Sequence, residues 1–314
     1  MTGKGGNAVR FSEMVEQAAR LEDSVVAIAA ADDEEVMDAV ALAIENDLAR
    51  FHLFGDATRI QQMIQKRTLR ESQFVITHTS TSQEAAERAA HAVRKGDASV
   101  LMKGLVPTAM FMKAVLNKET GLRSGNVLSH VALFEVPGRE SAIGLTDAAI
   151  HIQPTLEDKV KIIENGVSAL RALGYGLPKV AVLAAVEVVN PTMQATIDAA
   201  LLTQMNRRGQ IKDCLVDGPL ALDNAVNLVA AQQKGLTGDV AGQADLLVVP
   251  QIEVGNVIYK SLMYFAHASV AAILVGARAP VVLTSRADTA EAKMYSLAFA
   301  LLNAQQTKKV KQTI

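Results

Sequence analysis

The sequence predicts an α/β fold with largely parallel sheets, and three observations predict it. Short apolar runs alternate with amphipathic stretches from one end of the 314-residue chain to the other. Many of these runs are apolar on consecutive rather than alternate residues, as strands covered on both faces are. The stretches between them carry cap residues, glycine stops and apolar stripes at helical spacing. Strand–helix alternation of this kind builds a parallel sheet covered by helices.

In chain order, residues 25–30 form the first expected strand. Val36, Val40, Ile44 and Leu48 follow as one apolar helical stripe. Strands are expected at 50–54 and 74–79. Thr81 and Glu84 have capping-box spacing, and Gly96 is placed to stop the helix they open. Further strands are expected at 99–102, 127–136 and 142–145. Pro154-Thr155 opens a helix with Val160, Ile163, Val167 and Leu170 on one face and Gly174 at its end. After a strand at 180–186, Asn190-Pro191 reads as a cap followed by proline at the first helical position. Runs at 214–216, 246–249, 270–275 and 281–283 complete the series. The domain boundary is expected near 141–155, with a return crossing near 278–281. That gives a first α/β domain of 1–146 plus 280–314 and a second of 147–279.

Composition narrows the class. Half of the residues are hydrophobic, 20% are charged and the net charge is −2, so a soluble globular protein is expected. Near-balanced charge argues against a nucleic-acid partner but suits a small anionic substrate. A single cysteine, Cys214, excludes an intrachain disulfide and fits a reducing compartment. It lies in a strand-like run and reads as a buried inert thiol rather than a nucleophile. No secretory signal is visible. The best candidate for a membrane span, 265–284, contains His267, Arg278 and Pro280 and divides into two strands. A cytoplasmic protein that does not span a membrane is expected. The histidines lack metal-ligand spacing, so no metal is expected, and His130 and His151 read as structural. Gly3-Lys4-Gly5-Gly6 and the Gly235–Gly242 stretch lack the strand–loop–helix context of a phosphate loop.

Three places carry chemistry. Thr284-Ser285-Arg286 follows the run 281–283, at the junction where α/β proteins place ligands. A hydroxyl and a guanidinium side by side there suit a phosphate or an acyl oxyanion. Lys103-Gly104 emerges from the carboxyl end of the run 100–102. Gly255-Asn256 reads as the start of a helix whose free N–H groups make an anion site, with Lys260 four residues on and on the same face as Asn256.

Further segments join these in order and spacing: Leu145-Thr146-Asp147-Ala148-Ala149 with Pro154-Thr155, Val216-Asp217-Gly218-Pro219-Leu220, Val240-Ala241-Gly242-Gln243-Ala244-Asp245, and Tyr259-Lys260. With them the chain resembles the phosphate acetyl/butyryltransferase family over residues 20–305, and the butyryltransferase branch is the closer match. The resemblance implies reversible transfer of a short acyl group between coenzyme A and inorganic phosphate. It implies a cleft between two α/β domains, in an isocitrate/isopropylmalate dehydrogenase-like architecture. Coenzyme A is then a substrate, and no tightly bound cofactor is expected. A homodimer or higher homo-oligomer is implied, as is a carboxylate (butyrate) kinase as metabolic partner.

The resemblance also assigns roles. Ser285 donates to the tetrahedral intermediate and Arg286 holds phosphate, with Thr284 beside them. Lys113 stands where relatives carry an arginine, and Lys103 and Lys113 are candidates for contact with phosphate groups of substrate or coenzyme A. Tyr264 replaces another arginine, which suits a longer acyl chain. Acetyl-type relatives carry an acidic residue two turns into the helix after the serine–arginine pair, where this chain has Ala292. Glu291 is the first candidate for the base that ionises the thiol, and Asp147 the second. Asp288 and Glu291 also have N-cap and N3 spacing, so they equally read as a helix cap. Ser285 and Arg286 by themselves read equally as a cap and a surface charge. Competing readings are acetyl preference, a two-domain dehydrogenase, and a non-catalytic acyl-CoA-sensing module. Against the dehydrogenase, no paired aspartates stand at metal-like spacing.

Overall fold

The computed structural model describes residues 9–285 and 288–313, with the side chains of the last helix through Thr307. The chain divides into two compact units. One comprises Phe11–Asn126 and Ala271–Ile314, the other Val127–Val270 together with Met1–Arg10.

The first unit begins α1 (Phe11–Ala19), β1 (Val25–Ala29), α2 (Glu34–Glu45), β2 (Arg50–Gly55) and α3 (Ala57–Lys66). It continues with β3 (Phe74–His78), α4 (Ser82–Lys95), β4 (Val100–Lys103) and α5 (Thr108–Val115). In the second unit, β5 (Ser129–Glu135), β6 (Ile143–Thr146), α6 (Leu156–Ala172), β7 (Lys179–Leu183) and α7 (Gln194–Arg207) come first. There follow β8 (Leu215–Leu220), the short helices α8 (Leu222–Val226) and α9 (Leu228–Gln233), β9 (Leu246–Val248) and α10 (Ile252–Tyr264). The chain then leaves along β10 (Ser269–Val275) and completes the first unit with β11 (Val281–Val282) and α11 (Ala290–Thr313).

Strands of the first unit lie in the order β3-β2-β1-β4-β11-β10. Neighbours are parallel except β10, which runs antiparallel to β11. The chain builds outward from β1 to β3 and then returns to the other side of β1 as β4. Strand order therefore reverses between β1 and β4, and the crevice outside their carboxyl ends is the ligand position of a doubly wound sheet. Val26 pairs with Val100 and Ala29 with Lys103, so Lys103 emerges level with the end of β1. All four residues of β4 are buried, the physical reason its apolar residues are consecutive. Gly104 follows because a Cβ there would lie 2.1 Å from the Ala30 carbonyl oxygen. α11 packs on α1, α2, β4 and β11, with Leu297 through Leu301 all buried.

In the second unit the order is β5-β6-β9-β7-β8. β5 and β6 are antiparallel and the remaining neighbours parallel. These pairings explain why the units part at 126/127 and 270/271, where the sequence reading placed the boundaries at 146/147 and 279/280. β5 pairs with β6 and β6 with β9, which carries 127–146 into the second unit. β10 pairs with β11, so the chain has already rejoined the first unit before residue 280.

Local signals behave as their chemistry dictates. Thr155 and Asp158 form the capping box that starts α6. Thr81 caps α4 through the Glu84 N–H, although the Glu84 carboxylate reaches the Ser80 N–H rather than that of Thr81. Asn190 corrects one expectation. Its side chain accepts from the Thr192 N–H and hydroxyl, closing a turn, and α7 begins later, at Gln194.

Candidate active site

β11 delivers Thr284 and Ser285 to the carboxyl end of the first unit's sheet, beside the end of β4. Thr284 is buried, and its hydroxyl donates to the Lys103 carbonyl at 2.9 Å. Lys103, also buried, returns its ammonium to the Thr284 carbonyl at 3.4 Å and to the Gly104 carbonyl at 3.2 Å. Lys103, Thr284, Ser285 and Lys293 line a cleft of about 410 Å³ together with Asp33 and Glu35 from the start of α2. The cleft brings together an exposed serine and two buried lysines whose ammonium groups donate to main-chain carbonyls.

Ser285 and Asp288 hold each other through two hydrogen bonds. The Ser285 N–H donates to the Asp288 carboxylate at 2.7 Å, and the Asp288 N–H to the Ser285 carbonyl at 3.2 Å. Arg286 lies outside the described residues. Thr289, not Asp288, caps α11, its hydroxyl accepting from the Ala292 N–H at 3.1 Å. The expected Asp288–Glu291 cap is thereby corrected: the Asp288 carboxylate is occupied by Ser285. Glu291 stands exposed in the first turn of α11, and it is not among the residues lining the cleft.

Sequence reasoning missed Lys293, which is only 3% exposed. Its ammonium donates to the Asp288 carbonyl at 2.6 Å and lies 3.6 Å from the Glu35 carboxylate. A signal was present: Lys293 heads the stripe continued by Leu297 and Leu301 at four-residue spacing, so a charge stood on a face patterned for burial.

In the second unit, Asp147 follows β6 and is buried. One of its carboxylate oxygens accepts from the Ala149 and Ile150 N–H groups, each at 2.9 Å. The other accepts from the His130 N–H at 3.2 Å and meets His151 Nδ1 at 2.9 Å. Burial pushes the Asp147 pKa up, but the His151 hydrogen bond, the His130 charge and the backbone donors outweigh it and hold the carboxyl below its ordinary range. The His151 pKa is raised, chiefly by its bond to Asp147, against the opposing effect of burial. An ionised carboxylate only accepts, so Nδ1 carries a proton and Nε2 is the ring's acceptor while it is neutral. Asp147 thus holds a histidine in one orientation, a poor arrangement for Asp147 itself to take a proton at neutral pH.

α10 differs from its expected start. It begins at Ile252, and the Gly255 N–H donates to the Gln251 carbonyl, so that group is not free for an anion. Gly255 is needed for packing instead: a Cβ there would lie 2.9 Å from both the Ala148 Cα and the Asp147 carbonyl. Asn256 and Lys260 are exposed on α10, and the Lys260 ammonium lies 5.3 Å from the centre of the Tyr259 ring. Tyr264 ends the helix, 65% exposed. Lys113 is exposed in the last turn of α5. Among the described residues no three His, Cys, Asp or Glu side chains gather as metal ligands, and no helix is long and apolar enough to cross a membrane.

The first unit is thus a doubly wound α/β sheet with a cleft at the carboxyl ends of β4 and β11. Residues 80–301 match the family described as phosphate acetyl/butaryl transferase, and the chain belongs to that family of acyltransferases. It is 51% identical over 293 residues to a probable phosphate butyryltransferase of Bacillus subtilis (strain 168), covering 93% of this chain and 97% of that protein. The crystal structure of a branched-chain phosphotransacylase from Enterococcus faecalis V583 matches with a TM-score of 0.79 at 35% identity, over 90% of this chain and 99% of that one. A putative 4-hydroxythreonine-4-phosphate dehydrogenase from Salmonella typhimurium shares the fold at a TM-score of 0.54 and 15% identity, which bears out the dehydrogenase-like architecture.

Proposed function

We propose that this chain catalyses reversible transfer of a butyryl or similar short or branched acyl group between coenzyme A and inorganic phosphate: acyl-CoA + phosphate = acyl phosphate + CoA. The observation that carries the reading is the cleft where Lys103, Thr284 and Ser285 converge at the carboxyl ends of β4 and β11. Likeness to the probable phosphate butyryltransferase of Bacillus subtilis (strain 168) supports the four-carbon preference over acetyl.

In the direction of acyl-CoA synthesis, the coenzyme A thiol loses its proton and the sulfur attacks the acyl carbon of bound acyl phosphate. Ser285 donates to the oxyanion of the tetrahedral intermediate. Phosphate then leaves with the bonding electron pair, held by Arg286, with Lys103 and Thr284 at the same cleft. Glu291, which stands exposed in the first turn of α11 and does not itself line the cleft, is the proposed acceptor of the thiol proton. Lys113 is proposed to contact phosphate groups of the substrate or of coenzyme A, Asn256 and Lys260 to face an anionic group of the substrates, and Tyr264 to accommodate the acyl chain, with Asp147, Gly104 and Gly255 shaping the backbone around the substrates. Coenzyme A is a substrate, and no tightly bound cofactor enters these steps. The enzyme is proposed to work in the cytoplasm as a homodimer or higher homo-oligomer, with a carboxylate kinase consuming the acyl phosphate.

The test is phosphate-dependent release of free thiol from acetyl-, butyryl- and isobutyryl-CoA, followed with a thiol-reactive dye. Fastest release from the four-carbon substrates is expected. Preference for acetyl-CoA would keep the chemistry and change the substrate. No phosphate-dependent release from folded protein would sink the reading.

A further inference from the structure

We infer that Lys293 is a positioning residue for Ser285, acting through the main chain of Asp288; the inference rests on the acyl-transfer reading above. The case begins with what this lysine costs. Lys293 is 3% exposed and lies in the first turn of α11, where the helix dipole disfavours a cation. A methionine or leucine would fill the same buried position without desolvating a charge. Glu35 compensates little, since its side chain is 61% exposed and the separation is 3.6 Å. The close partner is the Asp288 carbonyl at 2.6 Å.

That contact continues to the serine. Asp288 holds the Ser285 N–H through its carboxylate at 2.7 Å and donates its own N–H back to the Ser285 carbonyl. At the other end, the Lys293 N–H donates to the Thr289 carbonyl while the Thr289 hydroxyl caps the helix. Lys293 is therefore fixed to the start of a buried helix at its backbone and, through Asp288, to Ser285 at its ammonium. The bonds Lys293 to Asp288 to Ser285 fix the main chain of Ser285, a residue that lines the cleft. Misplacing a reacting group by about 1 Å costs as much as ~10²-fold in rate.

Lys293→Met, Lys293→Arg, Ser285→Ala and the double variant Lys293→Met/Ser285→Ala separate positioning from the alternatives. Lys293→Met is expected to lower kcat by roughly 10- to 100-fold while KM for phosphate stays within about twofold. Lys293→Arg, which can still donate to the carbonyl, is expected to recover part of the loss. In the Ser285→Ala background the same change is expected to cost less than about twofold, because residues acting as one unit are not additive. A rise in KM for phosphate with kcat kept would make Lys293 a direct anion ligand and overturn the inference. So would an undiminished loss in the Ser285→Ala background. Hydrogen–deuterium exchange gives a readout that needs no turnover: the Ser285 amide should exchange faster in folded Lys293→Met than in the wild type. Unchanged exchange would overturn the positioning role even if the wild type proved inactive in the thiol-release assay, an outcome that by itself tells only against the acyl-transfer reading.

Discussion

Thr284 and Lys103 bond to each other twice across the end of the first unit's sheet. The threonine hydroxyl donates to the lysine carbonyl at 2.9 Å, and the lysine ammonium donates to the threonine carbonyl at 3.4 Å. β4 and β11 thus end as one piece, with Ser285 the next residue. Thr284→Val keeps the shape and removes one of the two bonds. It is expected to cost about 1–3 kcal/mol of unfolding free energy, since the buried Lys103 carbonyl loses its hydroxyl donor. Denaturant unfolding measures this, and an unchanged midpoint would show that the hydroxyl contributes nothing.

Ser285 and Arg286 are expected to separate kinetically. Ser285→Ala should lower kcat by about 10²–10³-fold, the range for loss of a key oxyanion donor. Arg286→Ala should raise KM for phosphate more than KM for acyl-CoA. Steady-state rates with each substrate varied in turn decide the matter. Equal changes in both KM values after Arg286→Ala would remove the arginine from the phosphate-binding role.

What the sequence disclosed here depended on range. Consecutive apolar runs such as 100–102 reported a strand buried on both faces, because burial leaves its mark residue by residue. The Thr155–Asp158 capping box was legible because its partners are three residues apart. Ser285 and Lys103 stood out as polar residues at strand ends, yet the bond between Thr284 and Lys103 joins positions far apart in sequence and has no local signature. Lys293 was passed over because a lysine on a helix is ordinarily solvated, and only the packed α11 shows this one buried. Gly255 was misjudged because a glycine needed for close packing and one opening a helix look alike in sequence. The unit boundaries depend on which strands pair, which no single strand records.

The Asp147–His151 pair predicts a pH window for stability. His151 has a folded pKa raised above 6.5, so its contribution is fully present below pH 6.5 and is lost as pH rises through the folded value. Asp147 has a folded pKa below 3.8, so its contribution is present above pH 3.8 and is lost as pH falls through the folded value. Both act together between these limits. The Tm difference between the wild type and His151→Ala should therefore be largest in that window and shrink toward pH 9. A difference that stayed constant or grew with pH would mean that the pair does not titrate as one.

Cys214 is expected to be silent in the dye assay. Burial, and next the charge of Asp213, push its thiol pKa up to about 11, and the residue is 5% exposed. Only the thiolate attacks such a dye, and at pH 8 about one part in 10³ of a thiol with that pKa is ionised. The Asn206 amide also donates to the Cys214 carbonyl at 3.0 Å, which holds the residue against α7. Native protein should therefore consume almost no dye over the minutes of a turnover assay, while denatured protein should consume one equivalent, matching its single cysteine. Cys214→Ser should keep kcat, since the thiol lies outside the cleft of Lys103 and Ser285. Rapid labelling of the native chain would show a reactive thiolate, and loss of turnover on labelling would bring Cys214 into the reaction.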